Sequence, residues 1–184
     1  MIRLAWTCLE RQAMLTSHSK EPAIRAVTEV YDVPYMLRTR DYYRAQGYKQ
    51  DYQWAHFHEA PFEPLTKPVA ESTLVVITTA MPDNEEGRSE RKVYSAPSRP
   101  APASMYTEEL SWDKQATHTR DVNSFLPLLQ MQALVEEGRL GGLAERFHSV
   151  PTEYSQRLTK QVHAPDILER CREDQADIAL LVPL

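Results

Sequence analysis

The chain has 184 residues, 42% of them apolar and 26% charged, a size that suits one domain able to bury about 70% of the surface its unfolded form exposes. A net charge of −5 gives no electrostatic reason to bind nucleic acid or an acidic membrane, and no stretch reaches the length of a membrane span. The only cysteines, Cys8 and Cys171, lie far apart and suggest no disulfide framework.

Residues 1–20 differ from the rest and read as a variable or misassigned N-terminal segment, with Met14 as an alternative initiator. Their apolar opening is interrupted by Glu10-Arg11, too early for the h-region of a secretory signal, so the cytoplasm is the expected compartment. From Glu21 to about Arg44 the pattern is weakly helical: Ile24, Val27 and Val30-Tyr31 share a face before Pro34 breaks it. Residues 42–68 combine aromatics with proline and predict irregular chain laid over a core, because proline denies regular ladders.

The run Thr73-Leu-Val-Val-Ile-Thr-Thr79 is the clearest strand, and its unbroken β-branched character predicts burial on both faces, as in parallel sheets. Residues 81–104, with Asp83-Asn84-Glu85-Glu86-Gly87 and several prolines, read as loop. Ser124 is placed to cap a helix carrying Phe125, Leu128, Met131, Leu134 and Val135 at helical spacing, with Pro127 in its first turn and Gly138 at its end. A short strand follows around Phe147–Val150. A second helix is predicted from about Thr159 to Glu173 with Val162, Ile167-Leu168 and Cys171 inward. Ile178–Leu184 is the last strand. Strand, helix, strand, helix, strand predicts an α/β fold with an open, mostly parallel doubly wound sheet of Rossmann or flavodoxin type. It would be incomplete at the C-terminus, because the last apolar strand has no covering helix after it.

Few residues point to chemistry by themselves. His56 and His58 have a spacing that can chelate a metal in extended chain, although surface or packing histidines explain them more simply. With His118 they define a metal-dependent hydrolase reading, the weakest of three. In Trp112–Asn123, His118 beside carboxylates can transfer a proton, while Asp121 and Asn123 either bind substrate or stabilise a helix start. Pro151–Arg157 lies between a predicted strand and helix, where an α/β site is built; Tyr154 and Arg157 could grip a small anion, or the segment could be a capped turn. Cys171 reads as a buried inert thiol. Gly138, Gly141 and Gly142 match no phosphate-loop spacing, so nucleotide cofactors find no support.

Several ordered segments resemble a known family. Phe62-Glu-Pro-Leu-Thr-Lys-Pro68, the Val75–Thr79 strand, His118-Thr-Arg-Asp-Val-Asn123 and Phe125-Leu-Pro127 carry the likeness. Leu134-Val-Glu-Glu-Gly-Arg-Leu-Gly-Gly142 and Asp177-Ile-Ala-Leu-Leu-Val-Pro-Leu184 extend it. The chain resembles the glycine/sarcosine/betaine reductase selenoprotein B and D-proline reductase family over residues 21–184, most strongly from Thr107 onward. In that family a strand like the closing one is followed at once by selenocysteine or cysteine in a U-x-x-C arrangement. The resemblance therefore implies the N-terminal part of a reductase domain, ending before its reacting residue: selenocysteine would follow Leu184.

What the resemblance implies is reductive cleavage of a C–N bond in glycine, betaine, sarcosine, proline or a related amine. A pyruvoyl group on a partner subunit activates amine substrates, and a thioredoxin-like protein or other dithiol supplies electrons. Leu128-Leu-Gln-Met131 departs from the more polar family sequence there, which leaves substrate contacts at that place open. A non-catalytic α/β binding or regulatory protein derived from the same family is the alternative.

Overall fold

The structure is a computed structural model that describes residues 34–59, 63–108, 110, 118–153 and 155–184. The chain divides into two units, Met1–Trp54 and Ala55–Leu184.

In the first unit Pro34 precedes a helix. Helix α1 (Tyr35–Ala45) follows it directly, and the Arg38 N–H donates to the Pro34 carbonyl at 3.0 Å. Proline's fixed φ suits a helix start as well as it opposes a helix interior. Of the helical pattern expected over 21–44, the part from Tyr35 is helix and 21–33 lie outside the described residues. Beyond α1 the chain has no regular structure and folds back on it. Arg44 donates two 2.7 Å hydrogen bonds to the Asp51 carboxylate. The Tyr43 ring meets those of Tyr48 and Tyr52 at 5.5 and 6.3 Å.

The second unit is mixed α/β. Strand β1 (Thr73–Thr78) follows a 3₁₀ turn over Val69–Glu71. Then come β2 (Met81–Pro82), α2 (Glu85–Ser89), β3 (Tyr94–Pro97) and β4 (Met105–Tyr106). After a 3₁₀ turn over Val122–Ser124 the order is α3 (Leu128–Glu136), β5 (Gly142–Leu143) and β6 (Arg146–Ser149). Helix α4 (Gln156–Leu158) runs through a π turn, Thr159–His163, into α5 (Ala164–Glu173), and β7 (Ile178–Val182) closes the order.

The main sheet is open and mostly parallel. Along one edge β1 pairs with β7 from Leu74↔Ile178 to Thr78↔Val182. Along its other edge it pairs first with β5 (Thr73↔Gly142) and then with β6 (Ile77↔His148), both parallel. The edge strand β3 adds antiparallel to β6 (Tyr94↔Ser149), and β2 and β4 form a separate two-stranded pair. A run of branched apolar residues can occupy the centre because both of its faces are covered, and Val75 and Val76 are both fully buried.

Leu74 and Val76 pack with Phe125, Leu126, Leu128, Leu140 and Phe147. Met131, Leu134 and Val135 of α3 and Ile178, Leu180 and Val182 of β7 close this core. The alternate residues of β7 point away: Ala179 is exposed and Leu181 is 67% exposed.

Three sequence expectations change. Residues 81–104 contain β2, α2 and β3 rather than loop alone. Helix α3 starts at Leu128, and Ser124 belongs instead to the 3₁₀ turn that the Asp121 carboxylate caps through the Asn123 N–H at 3.1 Å. Gly138 does end α3, with a φ of +69° that favours glycine. In the last helical segment Ser155 supplies the cap, its hydroxyl accepting from the Leu158 N–H at 3.3 Å. His163, Ile167 and Cys171 hold the inward face at four-residue spacing, so Val162 and Leu168, one position to either side of it, are 51% and 50% exposed instead of inward. Among the described residues no helix is long and apolar enough to cross a membrane.

Candidate functional site

Strands β1 and β7 finish side by side, and the next residues tie them together. The Leu184 N–H donates to the Thr79 hydroxyl at 2.9 Å. Thr79 also lines a cavity of about 90 Å³ with Arg88, Arg91, Tyr106, Thr107, Pro151 and Thr152. Pro151 and Thr152 follow β6, so the cavity caps the carboxyl ends of β1 and β6. Its volume is small beside the roughly 300–1,000 Å³ of pockets that hold drug-sized ligands.

Its walls are fixed by local chemistry. The Asn84 side chain accepts from the Gly87 N–H at 2.7 Å and starts α2. Gly87 is buried, and a Cβ there would lie 2.2 Å from the Pro82 carbonyl oxygen, so only glycine lets α2 sit this close to β2. Arg88 pairs with Asp83 and lies over the Tyr106 ring, 4.9 Å from its centroid. The Ser104 hydroxyl, 2.9 Å away, and then Arg88 hold the Asp83 carboxyl below the usual range. Arg91 donates to the Thr152 carbonyl at 3.4 Å, and the hydroxyls of Thr107 and Thr119 meet at 2.7 Å. The buried Thr152 hydroxyl has no hydrogen-bond partner among the described residues. The described lining offers hydroxyls and guanidinium groups, which orient a small polar ligand, and contains no thiol or imidazole.

The residues singled out in the sequence lie around this cavity or apart from it. His118 is exposed, and its neighbour Thr119 makes the link to Thr107. Asp121 and Asn123 border a separate open groove with Arg120 and Gln132, and Asp121 spends its carboxylate on the 3₁₀ turn. Arg157 is exposed and reaches Gln161 of its own helical segment at 3.4 Å. Tyr154 lies outside the described residues. Pro151 and Thr152, in the Pro151–Arg157 segment read as a site-building turn, do line the cavity. Thr79, Arg88 and Arg91 escaped sequence reading because they come from segments far apart in the chain.

A second polar cluster has the composition of a hydrolytic triad but not its situation. Ser95 Oγ lies 2.9 Å from His148 Nδ1, and His148 Nε2 lies 3.1 Å from Asp174 Oδ2. His148 is fully buried, and burial pushes its imidazole below the usual histidine range, outweighing the opposite pull of Asp174. Ser95 Oγ also accepts from Arg170 at 2.7 Å. A serine engaged on both sides beside a histidine sealed from solvent is no nucleophile. The cluster ties β3, β6 and α5 together instead.

His56 and His58 are exposed with ring centroids 4.8 Å apart, edge to face. Among the described residues no group of three or more His, Cys, Asp or Glu is placed to hold a metal ion. Burial raises the Cys171 thiol above its usual range, which suits an unreactive side chain. No family model, no curated protein and no solved structure matches the chain.

Proposed function

We propose that this chain forms the sheet and substrate-side cavity of a reductase component of the selenoprotein B type, acting on a small amine or amino acid. The observation that carries the reading is the tie between Thr79 and Leu184 at the rim of the cavity. We read the sheet as doubly wound: the chain passes from β1 to β5 and β6 on one side, then crosses to β7 on the other. In such sheets the ligand site lies beyond the carboxyl ends of the two strands where the order reverses. Those strands are β1 and β7, and Thr79 and Leu184 are the residues just past them.

The resembled family carries its selenocysteine or cysteine directly after a strand like β7. A group in that position would be delivered to the cavity rim, where the lining supplies hydrogen-bond donors. A selenolate is a strong nucleophile at neutral pH by the same logic that makes low-pKa thiolates reactive. The partner subunit with its pyruvoyl group, the dithiol donor and a cytoplasmic setting belong to the same reading. His118, Asp121, Asn123, Tyr154 and Arg157 remain proposed contacts to substrate or proton within it.

The test is an amine-release assay on protein produced from its own locus, with glycine, betaine, sarcosine or proline, the partner subunit and a dithiol. The reading expects turnover that requires dithiol and is lost on alkylation of the reduced protein. Substrate binding without turnover under all these conditions would favour a non-catalytic binding protein.

A further inference from the structure

We propose that His148 makes the attachment of α5 to the sheet a proton-sensitive joint, closed while the imidazole is neutral and loosened when it is protonated. This proposal is independent of the reductase reading.

The cluster consists of groups from each element packed at the joint. From β3 comes Ser95; from β6 come His148 and Arg146; from α5 and its C-terminal end come Asp166, Arg170, Glu173 and Asp174. Arg170 is held by Asp166 at 2.6 Å and donates to Ser95 Oγ at 2.7 Å. Arg146 donates to Asp174 at 2.8 Å and to Glu173 at 3.0 Å.

Arginine only donates, so Arg170 donates to Ser95 Oγ, which can still either accept from His148 Nδ1 or donate to it. The second arrangement is the favourable one, because it sets the ring proton rather than a lone pair on Nε2, facing Asp174 Oδ2. These last two atoms are buried and 3.1 Å apart, yet lack the alignment of a hydrogen bond. A second proton on the ring would sit on Nδ1 and point at Ser95 Oγ. Ser95 would then accept from Arg170 and from the imidazolium at once, and its own proton would lose its acceptor. The new charge would also be fully buried beside Arg146 and Arg170, opposed by Asp174, whose Oδ1 already takes Arg146 and whose Oδ2 faces the ring. Detaching α5 relieves all three costs, because every partner on the helical side belongs to residues 166–174.

The sign follows from burial. The folded chain holds its imidazole proton more weakly than the unfolded chain does, so the closed joint loses stability as pH falls below the ordinary histidine value of about 6.5. One proton gives at most about a tenfold change per pH unit.

The test is backbone hydrogen exchange on the full chain from pH 7.5 to 5. Rates are expressed as protection relative to the unfolded chain, with β1 as the internal reference. Protection in α5 is expected to fall up to about tenfold per pH unit below about 6.5 while β1 keeps its own, and His148→Gln is expected to abolish that slope. An α5 protection that does not vary with pH, or that varies equally in His148→Gln, overturns the proposal. A parallel loss in β1 and α5 also overturns it, since the event would be global. Should His148→Gln not fold, the imidazole titration of the unaltered chain by NMR decides: a midpoint below the ordinary histidine value supports the joint, and an ordinary midpoint contradicts it.

Discussion

Two adjacent glycines answer differently to the same methyl group, and the difference tests the start of the sheet. A Cβ on Gly141 would lie 2.4 Å from the Glu71 carbonyl carbon and 2.6 Å from the Ser72 nitrogen. Both obstacles are backbone and neither can rotate away. On Gly142 the nearest atom would be the Thr73 hydroxyl at 3.6 Å, an ordinary contact. Gly141→Ala must therefore push β5 off the turn before β1. It would strain the hydrogen bonds from Gly141 N–H to Val69 O and from Gly142 N–H to Ser72 O, each 3.1 Å. Overpacking of this kind costs about 1–3 kcal/mol, and two weakened backbone bonds add about 1 kcal/mol each. We expect a loss of about 3–5 kcal/mol for Gly141→Ala and less than about 0.5 kcal/mol for Gly142→Ala. For a chain of this length that corresponds to a fall in Tm of roughly 6–20 °C against about 2 °C or less. Urea unfolding of the two variants beside the parent measures it. Equal losses, or the larger loss at Gly142, would refute the parallel β1–β5 register.

Leu180 and Leu181 should diverge in the same way on opposite faces of β7. Leu180→Ala is expected to cost about 1–3 kcal/mol in chemical denaturation, because Leu180 packs on the core, whereas Leu181→Ser, at a 67% exposed site, should stay within about 0.5 kcal/mol. Asp177 accepts from Lys67 Nζ at 2.7 Å and from the Thr73 N–H at 2.8 Å, and the Lys67 bond first, then the backbone bond, lowers its carboxyl. Its contribution is present above the ordinary carboxyl value of about 4 and is lost as pH falls through the lower folded value, so Asp177→Asn should flatten the acid limb of the stability profile; an unchanged limb would contradict this. Thr79→Val removes the acceptor of the Leu184 amide. It should cost no more than about 1.5 kcal/mol in stability while lowering turnover in the amine-release assay by a larger factor; equal losses in both would make Thr79 structural only.

How much could be read in advance depended on where the information lay. β1 was legible because its branched apolar run is buried and local, and β7 because Ile178–Val182 is an unbroken apolar run. β3 was not: in Tyr94-Ser95-Ala96-Pro97 only Tyr94 is buried, Ser95 serves the His148 cluster, and Pro97 closes an edge strand. Proline suits a helix start as well as it ends one, and α1 begins directly after Pro34. The inward face of the last helical segment was misjudged at Val162 and Leu168 because both are apolar neighbours of the true face, His163, Ile167 and Cys171, and apolarity alone does not tell adjacent positions apart. Beyond the Pro151–Arg157 segment the cavity was illegible for a different reason. Thr79, Arg88 and Tyr106 share no spacing, and only the sheet brings them to one rim.

The central claim is that a selenol or thiol carried after a strand such as β7 serves the rim marked by Thr79 and Leu184. Amine release by the protein produced from its own locus, with the partner subunit and a dithiol, measured before and after alkylation of the reduced protein, tests it most directly. The account predicts dithiol-dependent turnover that alkylation abolishes. Turnover that needs no dithiol, or that survives alkylation, would contradict it.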